Sequence, residues 1–175
     1  LTDDYAAIRR EMEAVAECFG KKVLREVEEA EVVAAIPAIR AKVGDRAVLR
    51  ALHFYSECHR AVALRQALEE KDFPGFLRRI IAGGHSSFEY NQNAYSIQNP
   101  AEQGVPLALA ISQRVLEGRG AWRLQGGGFA GTIQAFVPLD LLESYRTAID
   151  GIFGAGSCHV LTVRNHGAIE VTRDL

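Results

Sequence analysis

The stretch Ala121-Trp-Arg-Leu-Gln-Gly-Gly-Gly-Phe-Ala-Gly-Thr-Ile-Gln-Ala-Phe-Val-Pro138 decides the fold class. Gly126, Gly128 and Gly131 satisfy G-x-G-x-x-G, the spacing of a dinucleotide-binding loop. Such a loop must open a helix, because the helix N-terminus supplies the amides and the dipole that hold a pyrophosphate. Here Thr132, Ile133, Phe136 and Val137 follow, and Pro138 closes the run. β-Branched and aromatic residues in that order predict a strand. The stretch therefore reads as strand, glycine turn, strand. Glycines in such a turn supply positive φ or let another backbone or a phosphate come close.

Outward from this stretch the chain changes character. On its N-terminal side, residues 1–117 are mainly helical in pattern. Asp3 or Asp4 is the expected N-cap of a first helix carrying Ile8, Met12, Val15 and Ala16, with Gly20 as its stop. Residues 23–43 read as shorter helices interrupted near Pro37. Asp45 is expected to cap a long helix that runs through Glu70, with Val48, Leu49, Leu52, Tyr55, Ser56, Val62 and Ala63 facing inward. A further helix is expected from Phe73 to about Tyr90, with Pro74 in its first turn, Leu77, Ile80 and Ile81 inside, and Gly83-Gly84 as a weak point. Residues 91–104 read as a loop and Val105 to Leu116 as a helix. On the C-terminal side, 118–175, the glycine hairpin is followed by a helix (Leu139 to Phe153), a strand (Cys158 to Val163) and a last short strand (Ala168 to Val171). Helices first and a small sheet later predict an α+β domain, its sheet covered by helices.

Composition narrows the function. The 175 residues carry a net charge of −2, with Lys and Arg dispersed among Asp and Glu. That excludes an electrostatic case for nucleic acid or an anionic membrane. Hydrophobic residues make up 48%, enough for one sizeable core. Three cysteines, Cys18, Cys58 and Cys158, are too few and odd in number for a disulfide framework and suit a reducing compartment. No segment approaches the ~20 apolar residues of a membrane helix.

The pattern strand, Gly-Gly-Gly-Phe-x-Gly, strand, helix, strand resembles the C-terminal glycine motif of the GHMP small-molecule kinases, the galactokinase family in particular. The family form is close to Gly-Gly-Gly-Phe-Gly-Gly-Cys; this chain departs from it at Ala130 and Thr132. Tyr5-Ala-Ala-Ile-Arg9-Arg10 resembles the Tyr-x-x-(x)-Arg-Arg segment that opens the family's C-terminal half. His85-Ser86-Ser87 resembles its Ser-His-x-Ser segment, followed here by Glu89-Tyr90-Asn91-Gln92. Asn165-His166-Gly167-Ala168 stands where the family closes with an Arg-Pro-Ser-Asp-Gly-Ala-like strand and turn. The resemblance spans nearly the whole chain, and its glycine motif is the specific part.

The resemblance implies a ferredoxin-like GHMP kinase C-terminal domain over 1–175, with a small, mainly antiparallel sheet. It also implies what this sequence lacks. Neither the sugar-binding Gly-Arg-x-Asn-Leu-Ile-Gly-Glu-His string nor the Pro-x-x-x-Gly-Leu-Ser-Ser-Ser phosphate loop occurs here. The catalytic Asp that accompanies them has no place, and the chain starts at Leu1, so an N-terminal kinase domain is expected elsewhere. The implied activity of the intact protein is ATP- and Mg²⁺-dependent phosphorylation of galactose, or a related sugar, at the anomeric hydroxyl, in the cytoplasm. The expected partners are the sugar and the missing N-terminal domain. An exposed interdomain face would favour a homodimer. No catalytic residue is expected in these 175 residues, which alone should be inactive. The expected ligand-facing residues are Gly126, Gly127, Gly128, Phe129, Ala130 and Gly131, near phosphate or substrate, and Tyr5, whose position matches a galactose-contacting tyrosine. A non-catalytic sugar- or ATP-sensing protein on the same fold is the alternative.

Each site also has a plainer reading. The glycine turn could merely join two strands, and Tyr5 could be an aromatic packed at a helix start. A Cβ at Ala130 would be strained if that position needs positive φ. Arg9 and Arg10 read as surface or interdomain charges. Cys58-His59 and Cys158-His159 lack the paired spacing of a zinc site, so no metal site is expected. Ser86, Ser87, His85 and His166 could form a Ser-His pair, but no G-x-S-x-G elbow accompanies them. Glu26, Glu28, Glu29 and Glu31 read as a solvated face.

Overall fold

The computed structural model describes residues 1–129 and 131–163. Seven α-helices and one two-stranded antiparallel sheet are present among these residues: α1 (Thr2–Glu17), α2 (Glu29–Ala34), α3 (Ile36–Val43), α4 (Asp45–Glu69), α5 (Phe73–Ser86), α6 (Gly104–Leu116), β1 (Ala121–Gln125), β2 (Thr132–Phe136) and α7 (Leu142–Phe153). The class is α+β and helix-rich, as the sequence predicts.

Helix α1 begins at Thr2, with Leu1 as its N-cap, so neither Asp3 nor Asp4 caps it. Both acids sit inside the first turn, where their charge complements the positive end of the helix dipole. Likewise Gly44, at φ +88°, is the N-cap of α4, and Asp45 is free to pair with Arg40 at 2.8 Å. Pro37 stands at the start of α3, where a missing N–H costs nothing, and α2 ends at Ala34 just before it.

The first core forms where α1, α3 and α4 meet. Val15, Ala16, Val32, Ile39, Ala47, Val48, Ala51 and Tyr55 are buried in it. The inward face of α4 differs from the expected one. Val62 is 58% exposed, while Arg50, 2% exposed, and His53, 8% exposed, lie inside. Arg50 and His53 are buried because hydrogen-bond partners from other elements, Asn91 and Ser86, meet them.

Helix α5 lies across α4 and β1. Its glycines are not a weak point. Both are buried, and an added Cβ at Gly84 would lie 3.1 Å from the Arg123 backbone of β1. Their role is close approach of helix to strand. The helix continues beyond Ser86 as a π-helical turn, Ser87–Asn91, ending at Gln92 in the left-handed conformation. The expected helix to about Tyr90 is thus present with a change of pitch.

Strand β1 pairs with β2 in the register Ala121↔Phe136 to Gln125↔Thr132, so the turn lies between Gln125 and Thr132. Trp122 and Leu116 pack with Tyr145 and Ile149 of α7, and the Tyr145 hydroxyl shares a buried 2.8 Å hydrogen bond with Ser112. The expected helix 139–153 is a 3₁₀ turn (Leu139–Leu141) followed by α7. The expected strand Cys158 to Val163 does not form. Val160, Leu161 and Val163 are exposed, and no ladder takes their backbone among the described residues; β-branched composition alone makes no strand. Ala130, the segment Asn165-His166-Gly167-Ala168 and the expected strand Ala168 to Val171 lie outside the described residues.

Candidate functional site: the glycine turn and its clamp

The turn after β1 carries unusual backbone geometry. Gly126 and Gly128 have φ of +67° and +81°, and Phe129 has φ +59°. A left-handed bulky residue is strained and persists only where its surroundings hold it. Two elements do so here. The Phe129 N–H donates to the Asn93 carbonyl at 2.6 Å, and its ring meets the Tyr5 ring edge-on at 5.1 Å. The Tyr5 hydroxyl donates to the Gly128 carbonyl at 2.8 Å. The Asn93 amide donates to the Gly127 carbonyl at 3.2 Å. Gly131 N–H closes the turn on the Gly128 carbonyl at 3.0 Å.

This clamp accounts for two glycines. A Cβ on Gly127 would sit 2.6 Å from the Tyr5 ring, and one on Gly128 would sit 2.0 Å from the Asn93 carbonyl oxygen. Gly126 meets nothing within 4 Å; its requirement is the positive φ. Gly126 and Gly127 are exposed, whereas Gly128 and Phe129 are buried. The structure thus brings Tyr5 and the glycine motif together, as one unit, from opposite ends of the sequence.

The sequence reading missed Asn93. It is 3% exposed in a segment whose composition reads as a plain loop. Its side-chain oxygen, like that of Asn91, has no hydrogen-bond partner among the described residues. Ser96, also buried in this loop, donates to Asp4 at 2.7 Å, a second tie between α1 and the loop. Behind them lies an ion cluster. Glu11 of α1 accepts from Arg50 at 2.9 Å and pairs with Arg46. Arg50 Nε also donates to the Asn91 carbonyl at 3.0 Å. Burial lowers the Arg50 pKa while Glu11 opposes the shift; the hydrogen bond to Glu11 raises that of Arg46. No sequence signal marks Arg50, because a single cation amid Val48, Leu49 and Leu52 reads as solvated.

The other candidates separate. Arg9 and Arg10 are exposed, and Arg9 pairs with Glu13 on its own helix. Ser86 pairs with His53, not with His85: His53 Nδ1 and Ser86 Oγ are 2.9 Å apart, both buried. Burial, reinforced by Arg60 and Arg123, pushes the His53 pKa down to about 4. An imidazole so buried and so weakly basic is unsuited to activating a serine. Cys58 accepts from Arg25 at 3.4 Å, and His59 faces Glu29 at 3.5 Å. No cluster of three or more His, Cys, Asp or Glu able to hold a metal occurs among the described residues. Of the acidic run, Glu31 accepts from the Glu28 N–H at the start of α2 and Glu26 from Lys22.

Two open clefts lie elsewhere. One of about 530 Å³ runs beside α4, past Met12, Phe54 and Glu57. One of about 290 Å³ lies between His85, Phe88, Leu109 and Trp122. Neither includes Tyr5 or the glycine turn.

No family model matches the chain. Curated proteins do. A galactokinase of Actinobacillus pleuropneumoniae serotype 3 (strain JL03) is 31% identical over 149 residues, which is 85% of this chain and 37% of that protein. This chain is similar to galactokinases. A galactokinase of Glaesserella parasuis serovar 5 (strain SH0165) is 28% identical over the same share of each chain. The chain spans a little over a third of the length of these relatives, 37%. The resemblance read from the glycine motif and Tyr5-x-x-x-Arg-Arg agrees with this similarity over 85% of the chain. No helix among the described residues is long and apolar enough to cross a membrane.

Proposed function

We propose that these residues are the C-terminal part of a cytoplasmic, ATP-dependent sugar kinase that phosphorylates galactose at its anomeric hydroxyl, on a ferredoxin-like GHMP kinase C-terminal domain spanning 1–175. The observation that carries the reading is the 31% identity to a galactokinase over 85% of the chain. The turn supports it: an exposed Gly126-Gly127 backbone, fixed from beneath by Tyr5 and Asn93, suits a surface laid against a phosphate or sugar.

Phosphoryl transfer rests on positioning and charge neutralisation, so a preorganised backbone wall contributes without any reacting side chain. Positive φ at Gly126 and Gly128, on either side of Gly127, is the kind of backbone from which an anion-binding concavity is built. ATP would supply the transferred phosphoryl group; the amides of Gly126 and Gly127 are the groups here that fit its oxygens. The described residues offer no carboxylate cluster for Mg²⁺, which a partner N-terminal domain would hold together with the base. Tyr5 donates its hydroxyl proton to Gly128; the residue is 41% exposed, and its oxygen keeps an acceptor lone pair for a sugar hydroxyl.

The test is ADP release with ATP, Mg²⁺ and a sugar panel led by galactose. It is run on the longest natural chain containing these residues and on the 175 residues alone. Galactose-dependent turnover by the former and none by the latter is expected. The departure from the family motif at Ala130 favours a second reading, a non-catalytic sugar or ATP sensor. Ligand binding without turnover in the longer chain would select it.

A further inference from the structure

We propose that Arg50 is a positioning residue for the glycine turn, acting through the segment 91–93. The inference rests on the reading that the turn is a functional surface, but its geometry stands apart from the substrate.

Four observations converge on it. First, the strain at Phe129 is held by the carbonyl of Asn93, the shortest contact in the clamp. The position of that carbonyl therefore sets the turn. Second, Asn91 ends the π-helical turn, and Gln92, in the left-handed conformation, carries the chain from it to Asn93, which lies outside any helix or strand. Such turns commonly mark functional positions because they redirect the chain out of the helical ladder. Third, the carbonyl of Asn91 is tied down by the guanidinium of Arg50 at 3.0 Å. Fourth, Arg50 is 2% exposed and its other face is bound to Glu11, which is held in turn by Arg46.

A buried guanidinium is costly to desolvate, and apolar residues of like volume in place of the whole Glu11–Arg50 pair would stabilise the helices as well. A planar fork that bonds a carboxylate and a carbonyl at once offers geometry a hydrophobic residue does not. The arrangement also gives α1 two routes to the same turn. Tyr5 touches Gly128 directly; Glu11, six residues further along α1, reaches it through Arg50, Asn91 and Asn93. Displacing α1 from α4 would release both.

Hydrogen-exchange mass spectrometry on the full chain tests this, with Arg50→Met and Arg50→Lys. Loss of a buried charged donor in Arg50→Met should speed exchange about tenfold in the peptide carrying Phe129, with peptides from α6 and α7 within about twofold of wild type. Arg50→Lys keeps a cation against Glu11 without the fork, and should fall between the two. Unchanged exchange at the turn would overturn the proposal. So would equal acceleration everywhere, because Arg50 would then hold the fold as a whole. If Arg50→Met does not fold, Glu11→Gln carries the test: selective acceleration at the turn supports the link, and uniform or no acceleration defeats it. Neither result depends on sugar turnover, so a failed kinase assay leaves this inference standing or falling on its own.

Discussion

Helices α1, α3 and α4 hold one another by burying apolar side chains, whereas the turn between β1 and β2 leaves Gly126 and Gly127 exposed and takes its shape from groups that belong to other elements. In the helical region Val15, Ala16, Val32 and Ala51 are fully buried within one continuous cluster. In the turn Gly126 and Gly127 are exposed, three residues are left-handed, and Tyr5 and Asn93 carry the load. The difference teaches where stability and geometry are kept separately. Apolar burial is non-directional and tolerates small shifts. Hydrogen bonds to a strained turn are directional and do not. Changes in the turn should therefore leave the helices intact, while changes in the helices should reach the turn.

The largest expected effect is Gly128→Ala. It places a Cβ 2.0 Å from the Asn93 carbonyl at a φ of +81°. Backbone strain and steric repulsion together should cost about 3 kcal/mol in urea unfolding, if the turn unfolds with the rest. A cost near zero, with the helical amides unchanged in exchange, would instead show the turn rearranging alone, which sharpens the separation.

Acid should discriminate in the opposite direction. His53 lies between α4 and α5, and its folded pKa of about 4 is below the ordinary 6.5. The unfolded chain therefore binds the proton first, and the stability contributed by neutral His53 is complete above pH 6.5 and lost as pH falls toward 4. The group opposes its own charge because burial and the Arg60 and Arg123 cations surround it. Unfolding midpoints measured from pH 7 to 4 should fall more steeply in wild type than in His53→Gln. Parallel curves would remove His53 from the account.

Tyr5→Phe is expected to have the smallest effect on stability, about 1 kcal/mol, since it deletes one half-exposed hydrogen bond and keeps the ring on Phe129. In the longer chain it should raise the sugar KM if the hydroxyl also meets substrate. An unchanged KM and turnover would leave Tyr5 as a brace alone.

Much of the fold was legible because helices and hairpins are written in local periodicity. The glycine turn, the break before Pro37 and the helices α4 to α7 follow from residue spacing within a few positions. Cap positions were less so: Asp3, Asp4 and Asp45 are all good caps, yet Leu1 and Gly44 start the helices, because where the incoming chain turns depends on what it packs against. The segment Cys158 to Val163 shows the same limit for strands, whose hydrogen bonds are all made to another element.

The candidate site divides along the same line. The glycine motif and Tyr5 were visible as residues, and the family resemblance linked them before any geometry did. That Tyr5 bonds Gly128, that Asn93 crosses beneath the turn, and that Arg50 is buried against Glu11 could be decided only by tertiary structure. Local sequence sets periodicity, turn propensity and charge. The partner of a buried polar group is chosen by whichever distant element arrives within hydrogen-bond distance, and no spacing along the chain encodes that meeting.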